Sequence, residues 1–225
     1  MIKNKIKKLK IVKSILNYRS FLYNKRLKTK LIRNGKEILS IAVDILEKNK
    51  INYWLDYGTL LGAIRNKGFI KGDMDIDLGI DIKEDIDHVI KIFQNKGFNV
   101  YCYYHVIPEE KGRIVSLIYK GIILDLYNYT INEKSMWCTI YEQDKCDSID
   151  NFYKENNTIP VFFLKFNFKI TTKKIKLFDL NVNVPSNYHE YLSTIYGTDY
   201  MVEKQKWSGS LNKKFQKDLT SKIKY

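Results

Sequence analysis

Three acidic residues alternate with apolar residues about one third of the way along the chain. They are Asp73, Asp75 and Asp77, in the segment Asp-Met-Asp-Ile-Asp-Leu. In a β-strand successive side chains point to opposite faces, so this spacing places the three carboxylates on one face. Carboxylates this close repel one another unless a cation lies between them, and hard oxygen ligands suit Mg²⁺ or Mn²⁺. The pattern therefore predicts a metal site that uses all three acids.

The segment just upstream has residues that suit the phosphates of a metal-bound donor. Trp54-Leu55 is predicted to end a short strand, and Gly58 permits a tight turn. Thr59 is predicted to be the N-cap of a helix from Leu60 to Arg65. A helix N-terminus favours an anion, and an arginine can bind a phosphate through two hydrogen bonds. We therefore predict that Gly58, Thr59 and Arg65 bind the donor phosphates.

A further acid, Asp125, lies inside the apolar segment from Ile122 to Tyr127. Burial of an isolated charge in such a strand costs several kcal/mol unless the charge is paired. Asp125 is therefore expected to be either a metal ligand or one partner of a structural salt bridge. Two or three carboxylates that hold one or two divalent ions suit in-line phosphoryl transfer.

Periodic apolar residues predict the elements that must position these motifs. Helices are predicted at residues 37–48, after a capping box of Asp81 and Glu84 up to Gly97, and after an N-cap at Ser186 up to Gly197. Strands are predicted at residues 100–104, 114–119 and 122–127, with a turn at Lys120-Gly121 and a hairpin at 175–184. Residues 128–160 are expected to form strands or loops over the acceptor site, and residues 211–223 a basic helix or a frayed tail. His88 and His189 are expected on the surface.

Two groups of motifs resemble the LicD family, which has the nucleotidyltransferase fold. The first group runs from Gly58 to Arg65, through Phe69-Ile70, to Asp73–Asp77. The second is Val184-Pro185-Ser186-Asn187-Tyr188, followed by Tyr191-Leu192 and Tyr196-Gly197. The resemblance covers about residues 37–201 and implies an α+β fold, in which a mixed sheet is flanked by helices. Asp75 and Asp77 are the principal predicted ligands of Mg²⁺ or Mn²⁺, because both lie inside the strand pattern Asp-Ile-Asp-Leu. Asp73 is expected either to bind the metal with them or to position Arg65. The resemblance implies that Asp125 is a further ligand, and Asp125 is also the candidate base for the acceptor proton.

The same resemblance implies an activity. LicD-type enzymes move phosphocholine or a polyol phosphate such as ribitol phosphate from a CDP-linked donor to a hydroxyl of a glycan or glycolipid, and they release CMP. Three alternatives remain open: a nucleotide-sugar glycosyltransferase, a true nucleotidyltransferase, and an inactive nucleotide-binding module. A glycosyltransferase would not require the upstream Gly-Thr helix start or a third acid at Asp125. Nucleotide attached to the product, in place of free CMP, would indicate a nucleotidyltransferase. The complete set of acids argues against an inactive module.

The positive charge of the chain is concentrated in an N-terminal arm, residues 1–36. This arm holds thirteen Lys or Arg and no acid, so residues 37–225, the predicted catalytic domain, carry only +1 of the net +14. Apolar residues recur between its lysines at the spacing of a basic amphipathic helix: Ile2, Ile6, Leu9, Val12 and Leu16. Such a helix could lie on an anionic membrane surface, and a solvated tail is the alternative. Nucleic acid is not predicted as a partner, because the catalytic domain has no nucleic-acid motif.

The apolar runs and the cysteines indicate in which cellular compartment the protein is expected. No apolar run approaches the ~18–20 residues of a membrane span, and no cleavage site follows an apolar core at the N-terminus. We therefore expect a cytoplasmic protein, soluble or peripheral on a membrane. Cys102, Cys138 and Cys146 are odd in number and scattered, which predicts neither a disulfide framework nor a zinc site.

Overall fold

The computed structural model describes residues 2–107, 113–140, 161–203, 213–216 and 220–224, with side chains for 25–104, 113–140 and 161–203. The helical elements are α1 (Ile2–Lys48), α2 (Tyr57–Leu61), a π-helical turn (Gly62–Asn66), α3 (Ile86–Gln94) and α4 (Tyr188–Tyr196). The strands are β1 (Tyr53–Leu55), β2 (Asp75–Asp81), β3 (Asn99–Ile107), β4 (Arg113–Tyr119), β5 (Ile122–Ile131), β6 (Met136–Ile140), β7 (Val161–Phe166), β8 (Thr172–Leu177), β9 (Leu180–Pro185), β10 (Lys213–Gln216) and β11 (Thr220–Lys224).

One large mixed sheet forms the centre of the described structure. Seven of its strands lie in the order β10-β7-β6-β5-β4-β3-β11. Strand β2 pairs with β5, and β1 joins the sheet by pairing with β2. β2 and β5 are parallel, whereas the neighbouring pairs β1–β2, β4–β5 and β5–β6 are antiparallel. β8 and β9 form a separate hairpin. This architecture confirms the predicted α+β fold with a mixed sheet flanked by helices.

The β2–β5 pair has one apolar face, and the main core lies on it. Ile76 and Leu78 of β2 and Leu124 and Leu126 of β5 are fully buried. They belong to one cluster with buried residues of α1 and α3: Ile38, Leu39, Ala42, Leu46, Val89 and Phe93. Because side chains alternate along each strand, burial of this face leaves the aspartates of the same strands on the other face.

A single helix, α1, includes both the basic arm and the helix predicted at residues 37–48. The predicted boundary at residues 36 and 37 therefore lies inside α1, and Leu31, upstream of it, is fully buried. Ion pairs attach α1 to the hairpin and to the β4–β5 turn: Lys36–Asp179 at 2.9 Å, Lys174–Glu47 at 2.9 Å and Lys120–Glu37 at 2.5 Å. The described side chains begin at residue 25, so the predicted apolar stripe of Ile2 to Leu16 lies outside them.

Several local predictions are confirmed. Lys120 and Gly121 both have positive φ, at 50° and 74°, as a tight two-residue turn between β4 and β5 requires. The predicted hairpin at residues 175–184 is β8–β9. His88 and His189 are exposed.

Other predictions are wrong, and competing local contacts explain them. Asp85, not Asp81, caps α3 through the N–H groups of Asp87 and His88, because Asp81 still belongs to β2. Asn187, not Ser186, precedes α4, since β9 continues through Pro185. Residues 213–216 and 220–224 are strands rather than a helix or a frayed tail. They pair with β7 and β3, and this non-local pairing overrides the local sequence preference.

Within the part of the chain that the structure describes, no helix combines the length and the apolar character needed to cross a bilayer. Cys102 and Cys138 are both buried. Cys146 and the greater part of the expected acceptor region, residues 141–160, lie outside the described residues.

Candidate active site

The three predicted acids do come together. One carboxylate oxygen from each of Asp73, Asp75 and Asp77 lies within 4.8 Å of the others. Asp75 and Asp77 share a face of β2, but Asp73 precedes the strand. A turn positions Asp73, because its N–H donates to the carbonyl of Ile70 at 3.0 Å. The prediction that all three acids alternate along one strand is therefore wrong for Asp73, although its carboxylate reaches the same cluster.

Asp125 lies beside this cluster. It is the register partner of Asp77 in the parallel β2–β5 pair, so both side chains leave the same face of the sheet. The Ser116 hydroxyl, on the next strand, donates a short hydrogen bond to Asp125 Oδ1. Among the described residues, no Lys, Arg or His forms an ion pair with Asp125. A structural salt bridge, the alternative interpretation of Asp125, is absent from these residues.

Burial raises the pKa values of all four acids, and repulsion from neighbouring acids adds to the increase for Asp73, Asp77 and Asp125. Burial, followed by the charge of Asp75, raises the pKa of Asp73 to about 7 and that of Asp125 to about 7. Burial also raises the pKa of Asp75, and it raises the pKa of Asp77 well above its ordinary value, with further contributions from Asp75, Asp73 and Asp125. Without a cation, the folded protein therefore favours protonated forms of these carboxyl groups.

The donor atoms fit a hard divalent ion. Asp73 Oδ2 is buried and has no hydrogen-bond partner, which is costly for a carboxylate oxygen unless a ligand binds it. Oxygen-only donor sets of this kind suit Mg²⁺ and Mn²⁺, and an ion would favour the ionised carboxylates that burial disfavours. The four residues that could hold such an ion are Asp73, Asp75, Asp77 and Asp125.

The Gly58-Thr59 turn is bound directly to the acidic strand. The Gly58 N–H donates to Asp77 Oδ2 at 3.2 Å, and the Asp77 N–H donates to Thr59 Oγ1 at 2.9 Å. Asp56, and not Thr59, is the N-cap of α2, since Asp56 Oδ1 accepts from the Tyr57 N–H at 2.8 Å. The predicted helix from Leu60 to Arg65 is instead the end of α2 followed by the π-helical turn. Thr59 thus has a different local role from the predicted one.

Glycine at position 58 is required by a close approach. A Cβ on Gly58 would lie 2.5 Å from Asp73 Oδ2, so any side chain there would displace this carboxylate. The positive φ in this turn belongs to Tyr57, at 34°, rather than to Gly58. The turn lies where it was predicted. Glycine is needed at position 58 because the Asp73 carboxylate occupies the space of a side chain, and not because of the backbone conformation.

Asp56 is a site-positioning residue that the sequence interpretation missed. It is completely buried, and its Oδ1 also accepts from the Tyr191 hydroxyl at 2.6 Å; Tyr191 lies 2.8 Å from the hydroxyl of Tyr129. The Asp56 N–H donates to the Asp77 carbonyl at 3.0 Å. Burial raises the pKa of Asp56 to about 6, partly offset by the hydrogen bonds from Tyr191 and Tyr129. Its position directly before Tyr-Gly-Thr, with a side chain that caps helices well, was the available signal.

Arg65 lies at the end of the π-helical turn, partly exposed. Its Nε donates to Asn66 Oδ1 at 2.9 Å and its Nη1 to the Tyr200 carbonyl at 3.3 Å. Tyr196 of α4 is close to both Arg65 and the acids: burial, followed by the charges of Asp77, Asp56 and Asp73, raises its pKa well above the usual range, while Arg65 lowers it. Helix α4 thereby brings the C-terminal Tyr-Gly motif to the acidic cluster.

Comparison with known proteins agrees with this geometry. Residues 50–187 match the family model described as LicD/FKTN/FKRP, nucleotidyltransferase domain. The chain is 25% identical over 178 residues to the human ribitol-5-phosphate transferase FKTN, an alignment that covers 78% of this chain and 35% of that protein. Human ribitol 5-phosphate transferase FKRP is 40% identical over 53 residues, 24% of this chain and 11% of that protein.

An uncharacterized protein of Rickettsia typhi is 27% identical over 132 residues, 58% of this chain and 38% of that protein. The chain thus spans well under half the length of the curated relatives that it matches. The family model covers more than half of the chain and includes the Gly-Thr turn, the acids of β2 and Asp125. The chain belongs to the LicD/FKTN/FKRP nucleotidyltransferase-domain family.

Proposed function

We propose that this protein is a metal-dependent phosphotransferase. It moves a substituted phosphate, phosphocholine or a polyol phosphate such as ribitol phosphate, from a CDP-linked donor to a hydroxyl of a glycan or glycolipid, and it releases CMP. The observation that carries the proposal is the convergence of three carboxylate oxygens within 4.8 Å, with Asp125 in register beside them. Membership of the LicD/FKTN/FKRP family and the names of the FKTN and FKRP relatives support the transfer of a ribitol-phosphate-like group.

In this proposal Asp73, Asp75, Asp77 and Asp125 hold Mg²⁺ or Mn²⁺. When bound, the ion neutralises phosphate oxygens and lowers the pKa of the acceptor hydroxyl. Asp75 and Asp77 are the principal ligands because the backbone of β2 fixes both of them on one face. Asp73, which depends on a turn for its position, completes the ligand set.

Asp125 also acts as the base that accepts the proton of the attacking hydroxyl. The Ser116 hydroxyl donates to Oδ1 and so fixes the orientation of the carboxylate. Oδ2 is then the atom that receives the proton. Without metal, burial and the charge of Asp75 raise the pKa of Asp125 to about 7, and a bound ion would favour the ionised form that a base requires.

Gly58, Thr59 and Arg65 bind the donor phosphates. The Gly58 N–H is bonded to Asp77 Oδ2, so a phosphate oxygen can accept from it only when Asp77 turns toward another partner. The Thr59 hydroxyl accepts from the Asp77 N–H, and its own hydrogen remains available as a donor. Arg65 is held by Asn66 and by the Tyr200 carbonyl, which orders its guanidinium before the donor binds.

The basic arm is proposed to lie on an anionic membrane surface that carries the acceptor. The thirteen cations of residues 1–36 support this, because each Lys or Arg near such a surface contributes ~1 kcal/mol. Vesicle sedimentation tests the arm. Because Leu31 is buried, the suitable variant replaces Lys3, Lys5, Lys7, Lys8 and Lys10 by Gln and leaves the rest of α1 intact. Equal binding of both forms to anionic vesicles would remove this part of the proposal.

The activity test is nucleotide release from a panel of donors, namely CDP-choline, CDP-ribitol and UDP-sugars, with and without Mg²⁺ or Mn²⁺. The expected result is metal-dependent CMP release with a cytidine donor, lost in Asp75→Ala. Release of UDP from UDP-sugars alone would indicate a glycosyltransferase, and nucleotide attached to the product would indicate a nucleotidyltransferase. No turnover and no metal-dependent thermal shift with any donor would indicate an inactive module.

A further inference from the structure

We propose that a second surface, separate from the basic arm, docks this protein on an anionic lipid bilayer. Three segments form it: residues 32–36 of α1, the 66–72 loop that leads to Asp73, and the β8–β9 turn at residues 176–179. We call it the hairpin-tip surface. The inference rests on the proposed function in one respect: docking would present a membrane-borne acceptor to the active site. Docking itself is measurable without turnover.

Direct contacts join the three segments. A Cβ on Gly35 would lie 2.7 Å from an atom of the Phe69 ring, so α1 packs closely on the 66–72 loop. The rings of Phe69 and Phe178 lie 5.6 Å apart, centroid to centroid. Lys36 and Asp179 form an ion pair of 2.9 Å. The turn, the loop and the helix therefore form one continuous surface.

Apolar side chains protrude from this surface. Ile32 is 66% exposed and Phe178 is 38% exposed, and they are two of the five large apolar side chains that are exposed among the described residues. Phe178 also has a φ of 56°, in the left-handed region that a bulky residue rarely adopts. Part of its ring packs on Phe69, and the exposed part remains open to a contact outside the folded chain.

Cations surround the apolar tip. The three segments contain five Lys or Arg (Arg33, Lys36, Lys67, Lys71 and Lys176) and a single acid, Asp179. All five cations are exposed, and Asp179 is already paired with Lys36. A surface that exposes Ile32 and Phe178 together with five cations matches a bilayer interface with anionic head groups, where apolar tips enter the interface and cations bind phosphate.

A bilayer fits this surface better than a nucleic acid does. The 66–72 loop continues directly into Asp73, so a polyanionic strand that crosses the surface would approach the repelling cluster of Asp73, Asp75 and Asp77. A flat bilayer can contact the protruding tip while the acids remain recessed beside it. Docking in this way places the acidic site next to the head-group region, where the hydroxyl of a glycolipid would be found.

The experiment measures partition of the full chain between buffer and vesicles of phosphatidylcholine, either alone or with about one third phosphatidylglycerol. Lys67→Glu with Lys71→Glu is expected to weaken binding to the anionic vesicles at least ~10-fold. Lys91→Glu with Lys96→Glu is the matched control, because it makes the same charge change at exposed positions on and just after α3. The control variant is expected to change vesicle binding less than ~2-fold. Phe178→Ser is expected to weaken binding to the anionic vesicles ~3-fold.

A second readout locates the contact. A polarity-sensitive fluorophore on Phe178→Cys, with Cys146→Ser and the native Cys102 and Cys138 buried, is expected to shift to the blue only with anionic vesicles. The same probe on Lys91→Cys is expected not to shift. Three outcomes would each overturn the inference. They are equal losses of vesicle binding in the two double variants, no fluorescence shift of the probe at position 178, and binding of a single-stranded RNA in place of vesicles. Absence of CMP release from wild-type protein that still docks would instead reject the proposed function alone.

Discussion

The two faces of the β2–β5 pair have opposite chemical character. On one face, Ile76, Leu78, Leu124 and Leu126 are fully buried in the core. On the other face of the same strands, Asp75, Asp77 and Asp125 converge with raised pKa values. The backbone is common to both faces, so side-chain alternation alone separates the stabilising face from the acidic one.

This difference shows how the fold supports an unfavourable cluster. Four acids with mutual repulsion lower the stability of the protein without metal, and the apolar face of the same strands offsets that cost. Changes on the acidic face should therefore remove activity and leave the fold intact, while changes on the apolar face should do the opposite.

Substitution on the acidic face is expected to have the largest effect. Asp75→Ala or Asp77→Ala should lower metal-dependent CMP release by at least ~10³-fold, because each removes a principal ligand for the ion that neutralises the transferred phosphate. Circular dichroism should show an unchanged fold. Turnover within about tenfold of wild type in either variant would exclude these residues as essential ligands.

Substitution on the apolar face is expected to have the reverse effect. Leu126→Ala removes a fully buried side chain one position from Asp125 and should lower the free energy of unfolding by about 2–5 kcal/mol. Urea denaturation measures this loss, and turnover per folded molecule should stay close to wild type. A stable Leu126→Ala protein that has lost activity would show that the two faces are not separable.

Asp56 both stabilises the fold and positions the acidic site, so its substitution should lower both the stability of the protein and its affinity for metal. Asp56→Ala removes the α2 cap and leaves the Tyr191 hydroxyl without its carboxylate partner, so we expect a loss of about 1–3 kcal/mol in the free energy of unfolding. Mn²⁺ affinity, measured by calorimetry, should also fall because the Gly58-Thr59 turn loses its support. Asp56→Asn retains a side-chain oxygen and should recover most of both properties; if it recovers neither, the hydrogen bonds are not the reason.

The acidic face should also give the metal-free protein a distinctive pH dependence. Asp73 and Asp125 have pKa values of about 7 when folded, against an ordinary value of 3.8, so the folded state holds more protons between these limits. Their contribution to stability is fully present below about pH 4 and is lost as the pH rises through about 7. We expect a decrease of about 1 kcal/mol or more over this window.

Metal should oppose that decrease. Because Mg²⁺ binds the ionised carboxylates, it should raise the melting temperature more at pH 8 than at pH 5.5, and EDTA should remove the difference. Asp77→Asn, which removes one repelling charge, should melt slightly above wild type when both are metal-free. An equal Mg²⁺ effect at the two pH values would argue against binding at these carboxylates.

The local sequence was sufficient where one segment decides its own structure. The Asp-Ile-Asp-Leu alternation of β2, the apolar face of α3 and the turn at Lys120-Gly121 were all predicted, and the motif group from Gly58 to Asp77 indicated the family. Predictions failed where two segments compete for one residue. Thr59 is bound by the Asp77 backbone instead of capping a helix, and the chain end from residue 213 pairs with β7 and β3.

Residue types and their spacing were enough to indicate which residues could form the site, since carboxylate chemistry and strand periodicity depend on nothing else. How these residues meet depends on the tertiary fold. The parallel register of β2 and β5 sets Asp125 beside Asp77, 48 positions apart in the chain, and the packing of α4 brings Tyr191 to Asp56. The absent side chain of Gly58 leaves the space that the Asp73 carboxylate occupies. Contacts between distant segments depend on packing and pairing across the whole fold, and no local pattern encodes them.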